Sequence, residues 1–229
     1  MIGQKTIKDH MCMVRLVISG STMERKQKLI EEIIKMEWTM FSAVENQGGK
    51  ASCQSQPDTF MIMRESQMKT WTEEILASYE NDLKTAENEG RNLCSEKYAY
   101  MMESTAPEEY LNIKAYLPAT EPEKMQQIRE IVAVNLEWEK ETDRNYPNLC
   151  AGGRPLKKEQ DTPFFTSVET YLTGELRTYS CQTIRLLHQF TMKCMDENRN
   201  LAKENLENIV LAYGYSTLDE AEEKNKTIR

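Results

Sequence analysis

The chain lacks the residue patterns on which most metal and disulfide sites are built. Its 229 residues contain only two histidines, His10 and His188, and its six cysteines form no C-x-x-C pair. A zinc site needs closely spaced cysteines and histidines, and a ferritin-like di-iron bundle needs Glu-x-x-His motifs. We therefore predict no metal site, and no motif identifies a cofactor. In a reducing compartment the thiols are expected to stay free.

Turn-forming residues are scarce as well, with nine glycines and seven prolines. Charged residues make up 29% and apolar residues 39% of the chain, a balance that suits long amphipathic helices better than a turn-rich β protein. We therefore predict an all-α fold. A chain of this length can form one large domain or two small ones, and we favour one fused body.

Basic residues and long apolar runs are scarce as well. The 37 acidic residues outnumber the 29 basic ones, the net charge is −8, and no basic cluster could follow a nucleic-acid backbone. The apolar stretch from Met11 to Ile18 is too short to cross a bilayer and contains Arg15, and no signal-peptide cleavage site follows it. We expect a cytoplasmic protein that binds neither nucleic acid nor membranes.

What the chain does contain is a repeated motif. Glu89-x-Arg91-Asn92-Leu93-x-x-Glu96 returns as Glu197-x-Arg199-Asn200-Leu201-x-x-Glu204, at an offset of 199 − 91 = 108. Other landmarks recur in the same order at similar offsets. They are Glu37-Trp38 with Glu137-Trp138, Gly48-Gly49-Lys50 with Gly152-Gly153-Arg154, and Tyr79 with Tyr179. Four matches in one order predict an internally duplicated unit.

Helix-start signals recur in both halves. Ser21-x-x-Glu24 and Thr120-x-x-Glu123 have the form of capping boxes, in which each side chain satisfies a free backbone donor at the other position. Asp58 and Asp161 precede apolar residues and are predicted to cap a second helix in each half. A third start signal, at Thr105-x-x-Glu108, indicates a short helix between the halves.

The repeated arginines are predicted to mark a helix-turn-helix junction. Gly90 and Asn198 stand just before them and are the residue types that best tolerate the left-handed conformation that ends a helix. Asn92 and Asn200 are the predicted caps of the next helices. Tyr79 is 12 residues before the first arginine and Tyr179 is 20 before the second, which predicts an insertion of eight residues in the second half.

These signals predict a helical bundle of two related, internally duplicated three-helix units around one continuous core. The predicted divisions are an N-terminal extension (1–20), a first helical repeat (21–103), a linker helix (104–119), a second helical repeat (120–215) and a charged C-terminal tail (216–229).

Polar residues at matched positions are the candidate ligand-binding group. An arginine presents a planar fork that suits carboxylates and phosphates, and a carboxylate beside a tryptophan can be desolvated so that its pKa rises. We predict that these residues line a pocket between the two units. The candidates are Glu37, Arg64, Gln67, Tyr79, Arg91, Glu137, Glu169, Tyr179 and Arg199.

Several of these candidates also have a purely structural explanation. Arg91 and Arg199 would supply a salt bridge at a helix turn, next to a capping asparagine and a core leucine. Glu37 and Glu137 would lie at the border of an apolar stripe and face solvent. The sequence leaves both alternatives open, and it identifies no catalytic residue.

The loops that contain paired glycines suggest two further features. A double glycine before a basic residue, as in Gly152-Gly153-Arg154, can reverse the chain between helices or bind an anion. Cys53 follows the other double glycine and precedes a helix start, where a thiolate could be stabilised. It is the candidate reactive thiol, with an idle loop cysteine as the alternative because no histidine is near in sequence.

The run Thr166-Ser167-x-Glu169-Thr170-Tyr171-x-x-Gly174-Glu175-Leu176 is the most specific motif. It is accompanied by Arg91-Asn92-Leu93 with Lys97-Tyr98-Ala99, by Arg64-x-x-Gln67 and by Gly49-x-x-Ser52-Cys53-Gln54. Together these motifs resemble a bacterial family described as a domain of unknown function. The resemblance covers about residues 22 to 215. It implies a stand-alone bacterial protein but neither an activity nor a site residue.

Two functional hypotheses follow from the sequence. In the first, the protein binds or acts on a small polar or anionic molecule in a pocket between the repeats. In the second, it is a non-enzymatic helical adaptor or a homodimer that uses methionine-rich and aromatic surfaces, which predicts an exposed apolar patch. Whether the protein is an enzyme is not decided by these patterns.

Overall fold

The computed structural model describes the backbone of residues 3–45 and 52–226 and the side chains of residues 23–45 and 54–226. Within these ranges the chain forms ten α-helices and no β-strand, so the all-α prediction is confirmed. The helices are α1 (Gly3–Ser42), α2 (Pro57–Lys69), α3 (Glu73–Asn88), α4 (Leu93–Thr105), α5 (Pro107–Ile113), α6 (Pro122–Asn145), α7 (Val168–Thr178), α8 (Cys181–Asp196), α9 (Leu201–Ala212) and α10 (Leu218–Lys226).

The first helix begins much earlier than the capping signal at Ser21 predicts. Helix α1 runs without interruption from Gly3 through Ser21 to Ser42, so most of the predicted extension is its N-terminal part. No proline lies between residues 3 and 42, and a capping box starts a helix only where the preceding backbone has left the helical conformation. The side chains of the apolar stretch from Met11 to Ile18 lie outside the described residues.

Four predicted N-caps are also wrong. Thr105 is the last residue of α4, and the N-cap position of α5 is Ala106. Asp58 lies in the first turn of α2, and the cap position is Gln56. Glu121 caps α6 in place of Thr120, because Pro122 already supplies the first helical position. After Asp161 the chain first makes a turn, and α7 begins only after Ser167, whose side chain accepts from the backbone N–H of Thr170.

The core is one main cluster that draws apolar side chains from α1, α2, α3, α4, α6, α7 and α8. Each of the two long helices buries in it a stripe of apolar residues at helical spacing. They are Ile30, Ile33 and Ile34 on α1 and Ile128, Ile131 and Val132 on α6. Full burial of such a side chain contributes about 1.5–3 kcal/mol, so these stripes fix the two helices against the remaining elements.

Both predicted helix junctions are confirmed. Gly90 and Asn198 have φ values of 68° and 54°, in the left-handed region. The next amide in each case closes the turn on the preceding helix, since Arg91 N donates to Ala86 O and Arg199 N donates to Cys194 O, both at 2.8 Å. This pattern satisfies carbonyl groups that the end of a helix leaves without partners.

The predicted asparagine caps are confirmed as well. The Asn92 side chain accepts from Ser95 N and the Asn200 side chain accepts from Lys203 N. Each amide also donates to the backbone of a neighbouring long helix, from Asn92 to Met40 O at 2.8 Å and from Asn200 to the carbonyl of Trp138 at 3.2 Å. Each asparagine therefore starts one helix and attaches it to another.

The expected eight-residue insertion is wrong. Helices α3 (73–88) and α8 (181–196) have the same length, and both of their bounds differ by 108. Tyr79 lies inside α3, whereas Tyr179 is the C-cap of α7. At the offset of 108 the position of Tyr179 corresponds to Trp71, so the two tyrosines are not in matching places along the two halves.

Candidate functional site

The site is built around the guanidinium of Arg64, which lies on α2. Its Nε donates to Oε2 of Glu37 on α1 at 2.7 Å, and its Nη2 donates to Oε1 of the same carboxylate. Its Nη1 donates to Gln67 Oε1 at 2.8 Å and to Glu175 Oε1 on α7 at 3.1 Å. One planar fork therefore connects α1, α2 and α7.

Lys97 on α4 is the second cation of the site. Its Nζ donates to Glu175 Oε2 at 3.2 Å and to the hydroxyl of Tyr171 at 2.8 Å. The exposed fractions of Lys97, Glu37 and Glu175 are 8%, 4% and 5%. Buried charges are tolerated only when they are paired, and here two cations balance two carboxylates.

Two buried tyrosines complete the network. The hydroxyl of Tyr79 donates to Glu37 Oε1 at 2.7 Å, and the hydroxyl of Tyr179 donates to Glu175 Oε1 at 2.8 Å. Their ring centroids are 4.5 Å apart, and the edge of Trp71 packs against both rings. Each carboxylate thus has a cation and a tyrosine as partners.

The electrostatics fix the protonation state of most of these groups at neutral pH. Burial alone would raise the pKa of Glu175, but the charges of Arg64 and Lys97 outweigh it and lower that pKa to about 2. Burial raises the pKa of Tyr79 and of Tyr179 well above the ordinary value. Burial opposes the charge of Lys97, but Tyr171 and Glu175 raise its pKa. Glu175 is therefore ionised, Lys97 is protonated and both tyrosines are neutral.

Two local features of α7 place these side chains. Tyr171, Glu175 and Tyr179 are spaced by four residues, so they lie along one face of the helix and its C-cap. Gly174 lets α4 approach closely, since a Cβ there would lie 2.9 Å from Met101 Cγ and 3.0 Å from Lys97 O. That close approach brings the Lys97 side chain within reach of Glu175.

A cavity of about 470 Å³ lies beside the network. Its volume falls in the usual range for small-molecule sites. Arg64, Lys97 and Glu175 contribute polar surface, and most of the remaining wall is apolar or aromatic. The apolar and aromatic lining includes Phe41, Phe60, Met63, Leu93, Tyr98 and Val168. Both halves of the chain contribute, because residues of α1 to α4 face residues of α6, α7 and α9.

The cavity also exposes polar groups outside the network. Glu139 on α6 lines it, and burial together with the nearby Asp143 raises the pKa of Glu139 to about 7. Arg154 lines it as well, with its guanidinium 4.6 Å from the centroid of the Tyr171 ring. The Oδ1 atom of Asn205 is buried and has no hydrogen-bond donor among the described residues.

Five of the sequence-derived candidates lie together in this site. Glu37, Arg64, Gln67 and Tyr79 line the cavity, and Tyr179 lies behind it, bonded to Glu175. They come from four elements, α1, α2, α3 and the end of α7.

The other candidates lie elsewhere. Arg91 and Arg199 form paired hydrogen bonds with Glu96 and Glu204 at the two helix junctions. The two remaining candidates are at the surface. Glu137 is exposed and faces Lys140 on α6, and Glu169 accepts from the backbone N–H of Lys158. The backbone of Cys53 lies in a 3₁₀ helix, Ser52–Ser55, and its thiol lies outside the described side chains.

Sequence reasoning missed Lys97, Tyr171 and Glu175 as site residues. A usable signal was present for two of them, because Tyr171 and Glu175 occupy one face of a helix inside the most specific motif. Lys97 stands in one of the accompanying motifs, but its role depends on the close approach of α4 to α7, which the local sequence does not show.

The fold and the site define an all-α protein in which a buried ion-pair network borders a small-molecule-sized cavity. The chain belongs to the family described as Protein of unknown function (DUF4125), whose family model matches residues 27–223, and the expected membership in a family of unknown function is confirmed. Searches of curated proteins and of solved structures found no match. Among the helices that the structure describes, none combines the length and the hydropathy that a membrane crossing requires.

Proposed function

We propose that this protein binds a small molecule in the cavity between its two halves. The observation that carries the proposal is the placement of a buried, charge-balanced network along a largely apolar cavity of about 470 Å³. Such a combination of apolar wall and a few fixed polar groups is typical of ligand sites. Buried ion pairs cost desolvation free energy and are weak stabilisers, so their presence favours a role beyond folding.

The protonation states favour binding over acid–base chemistry within the network itself. A general acid or base works best when its pKa is near the working pH, and the pKa values of Glu175, Lys97 and the two tyrosines are shifted away from neutrality. Burial raises the pKa of the Cys94 thiol, which also lines the cavity, to about 11. A thiol in that state is a poor nucleophile.

The chain offers a matched pair of variants for the test. Met61 and Met63 both lie on α2 and are 42% and 45% exposed, but only Met63 lines the cavity. Met63→Trp is expected to fill the cavity and Met61→Trp to leave it open. Native mass spectrometry and thermal shift with a metabolite library would compare both variants with the wild type. Binding that survives Met61→Trp but not Met63→Trp supports the proposal, and equal binding by all three proteins contradicts it.

We also infer that the two halves are related by duplication. The offset of 108 between the bounds of α3 and those of α8 supports this inference beyond the repeated motif. The hydroxyls of Thr70 and Thr178 donate to Gln67 O and Glu175 O, each at 2.7 Å, at positions that again differ by 108. On this view Gln67 and Glu175 occupy equivalent positions. Both accept a hydrogen bond from Arg64, one as a neutral amide and the other as a carboxylate.

An exposed turn favours the alternative function, an adaptor or a homodimer. Thr162 and Phe165 exchange backbone hydrogen bonds, and Phe164 at the tip is 97% exposed. The carboxylate of Asp161 stabilises the base of the turn, because it accepts hydrogen bonds from Ser104, Ser167 and Thr170. Sedimentation velocity of the wild type and of Phe164→Ser is the test. A wild-type dimer that dissociates in the variant supports this function, and a monomer at all concentrations contradicts the homodimer.

We also propose that the protein is cytoplasmic. Cys94, Cys150, Cys181 and Cys194 are free thiols, which fits a reducing compartment. Fractionation of cells that express the protein would test the location.

A further inference from the structure

The charges that line the cavity do not all have partners. Glu37 and Glu175 are paired with Arg64 and Lys97, so these four charges cancel. One carboxylate and one guanidinium remain on the cavity wall, those of Glu139 and Arg154. Within the described part of the chain neither forms an ion pair.

Glu139 is surrounded by groups that disfavour its negative charge. It is largely buried, and Asp143 lies near it on α6. The buried Oδ1 of Asn205 lines the same cavity and lacks a hydrogen-bond donor among the described residues. A buried acceptor without a donor is unfavourable, because it has lost its hydrogen bonds to water and gained none in the protein. Both acceptors would be satisfied by a group that carries several N–H donors and a positive charge.

Arg154, by contrast, needs a negatively charged hydrogen-bond acceptor, because its guanidinium has only donors. Its Nη1 donates to Thr166 O at 3.0 Å, and its guanidinium packs over the ring of Tyr171, which leaves other N–H donors of the fork available. A planar fork with free N–H donors suits a carboxylate.

We propose that the ligand of this cavity is a zwitterion with an apolar body, of the amino acid class. Its ammonium group binds Glu139 and Asn205, and its carboxylate binds Arg154. The apolar part lies against the aromatic wall, where the rings of Phe41 and Phe60 are stacked with centroids 5.2 Å apart. This inference rests on the proposed function and specifies the chemistry of the same cavity.

The test uses three probes that share one apolar body. They are L-phenylalanine, which carries both charges, 2-phenylethylamine, which lacks the carboxylate, and 3-phenylpropanoate, which lacks the ammonium. Isothermal titration calorimetry is done at pH 8, where Glu139 is ionised. Loss of one buried charged hydrogen bond typically weakens binding by about ten-fold or more, so L-phenylalanine is expected to bind at least that much more tightly than either analogue.

Two variants assign the two ends of the ligand. Glu139→Gln is expected to weaken L-phenylalanine and 2-phenylethylamine by about ten-fold and to leave 3-phenylpropanoate unchanged. Arg154→Met is expected to weaken L-phenylalanine and 3-phenylpropanoate and to leave 2-phenylethylamine unchanged. The controls are Glu137→Gln, an exposed carboxylate on the same helix that does not line the cavity, and Arg144→Met.

The outcomes separate this inference from the proposed function. If an analogue that carries one charge binds as tightly as L-phenylalanine, and Met63→Trp abolishes that binding, the zwitterion is overturned while the cavity remains a binding site. The same conclusion follows if the metabolite library yields only ligands that lack one of the two charges. If neither the library nor any probe binds, the proposed function fails as well.

Discussion

Glu37 and Glu175 share a single guanidinium, that of Arg64, although they lie on the first and the seventh helix. Without that cation two carboxylates would face each other in the interior with only Lys97 and two tyrosine hydroxyls to balance them. The arrangement of the whole site therefore depends on one side chain from α2.

Replacement of Arg64 by methionine is expected to destabilise the protein strongly. Removal of one partner from a buried ion pair typically costs about 3–5 kcal/mol, because an uncompensated charge stays buried. Urea denaturation would measure the free energy of unfolding. Arg91→Met is the matched control, since its side chain is 34% exposed and its ion pairs lie at a helix junction. A loss of about 1 kcal/mol or less is expected there. Similar losses for both variants would contradict the buried role of Arg64.

Glu175 is expected to make the protein sensitive to acid. Its folded pKa of about 2 lies below the ordinary value of 4.5, so its contribution is complete above pH 4.5 and is lost as the pH falls towards 2. A shift of this size corresponds to roughly 3 kcal/mol. Denaturation curves at several pH values would show a steeper loss of stability below pH 4.5 in the wild type than in Glu175→Gln. Parallel curves would contradict the lowered pKa.

Glu139 is expected to act in the opposite direction. Its folded pKa of about 7 lies above the ordinary value of 4.5, so the unfolded chain ionises first as the pH rises. The folded state therefore carries no penalty below pH 4.5, a growing one between 4.5 and 7, and the full one above pH 7. Glu139→Gln should raise the melting temperature at pH 8 and change it little at pH 4.5. Glu137→Gln is the control, and an equal effect of both substitutions would argue against desolvation of Glu139.

Gly174→Ala is expected to damage the site without touching a charged group. The new Cβ would lie 3.0 Å from the backbone oxygen of Lys97, so α4 and α7 would have to separate slightly. Overpacking of this kind typically costs about 1–3 kcal/mol. Chemical denaturation is the measurement, with Thr173→Ala as the neighbouring control. The new Cβ would also lie 2.9 Å from Met101 Cγ. If Gly174→Ala costs no stability in a Met101→Ala background, the methionine and not the backbone is the obstacle.

The helical class and the helix junctions could be predicted because their signals are local. A residue such as Gly90 or Asn198 before a capping asparagine defines its own backbone conformation, and the apolar stripe of a long helix needs no distant information. The residues at which the helices begin were harder to predict. The cap at Ser167 replaced the one expected at Asp161, because a proline-containing turn intervenes and uses Asp161 to hold its base.

The site could be predicted only in part, because its partners are distant along the chain. Glu37, Arg64 and Tyr79 are visible as polar residues on apolar helices. Their counterpart Glu175 becomes a site residue only when α7 packs against α4 and Arg64 of α2 reaches its carboxylate. The expected match between Tyr79 and Tyr179 was wrong as a sequence alignment, yet the two rings touch in space. Proximity in the fold and equivalence in a repeat are separate properties.

The positions of the tryptophans have an optical consequence. Trp71 packs edge-on against Tyr79 and Tyr179, so its emission should follow the state of the ion-pair network. Trp38 packs against Phe41 and Phe60 of the cavity wall, and Trp138 belongs to a separate small cluster with Cys194 and Ala202. The protein thus carries three tryptophans in three different environments, and single-tryptophan variants would report on the network, the cavity and the small cluster around Trp138 without any added label.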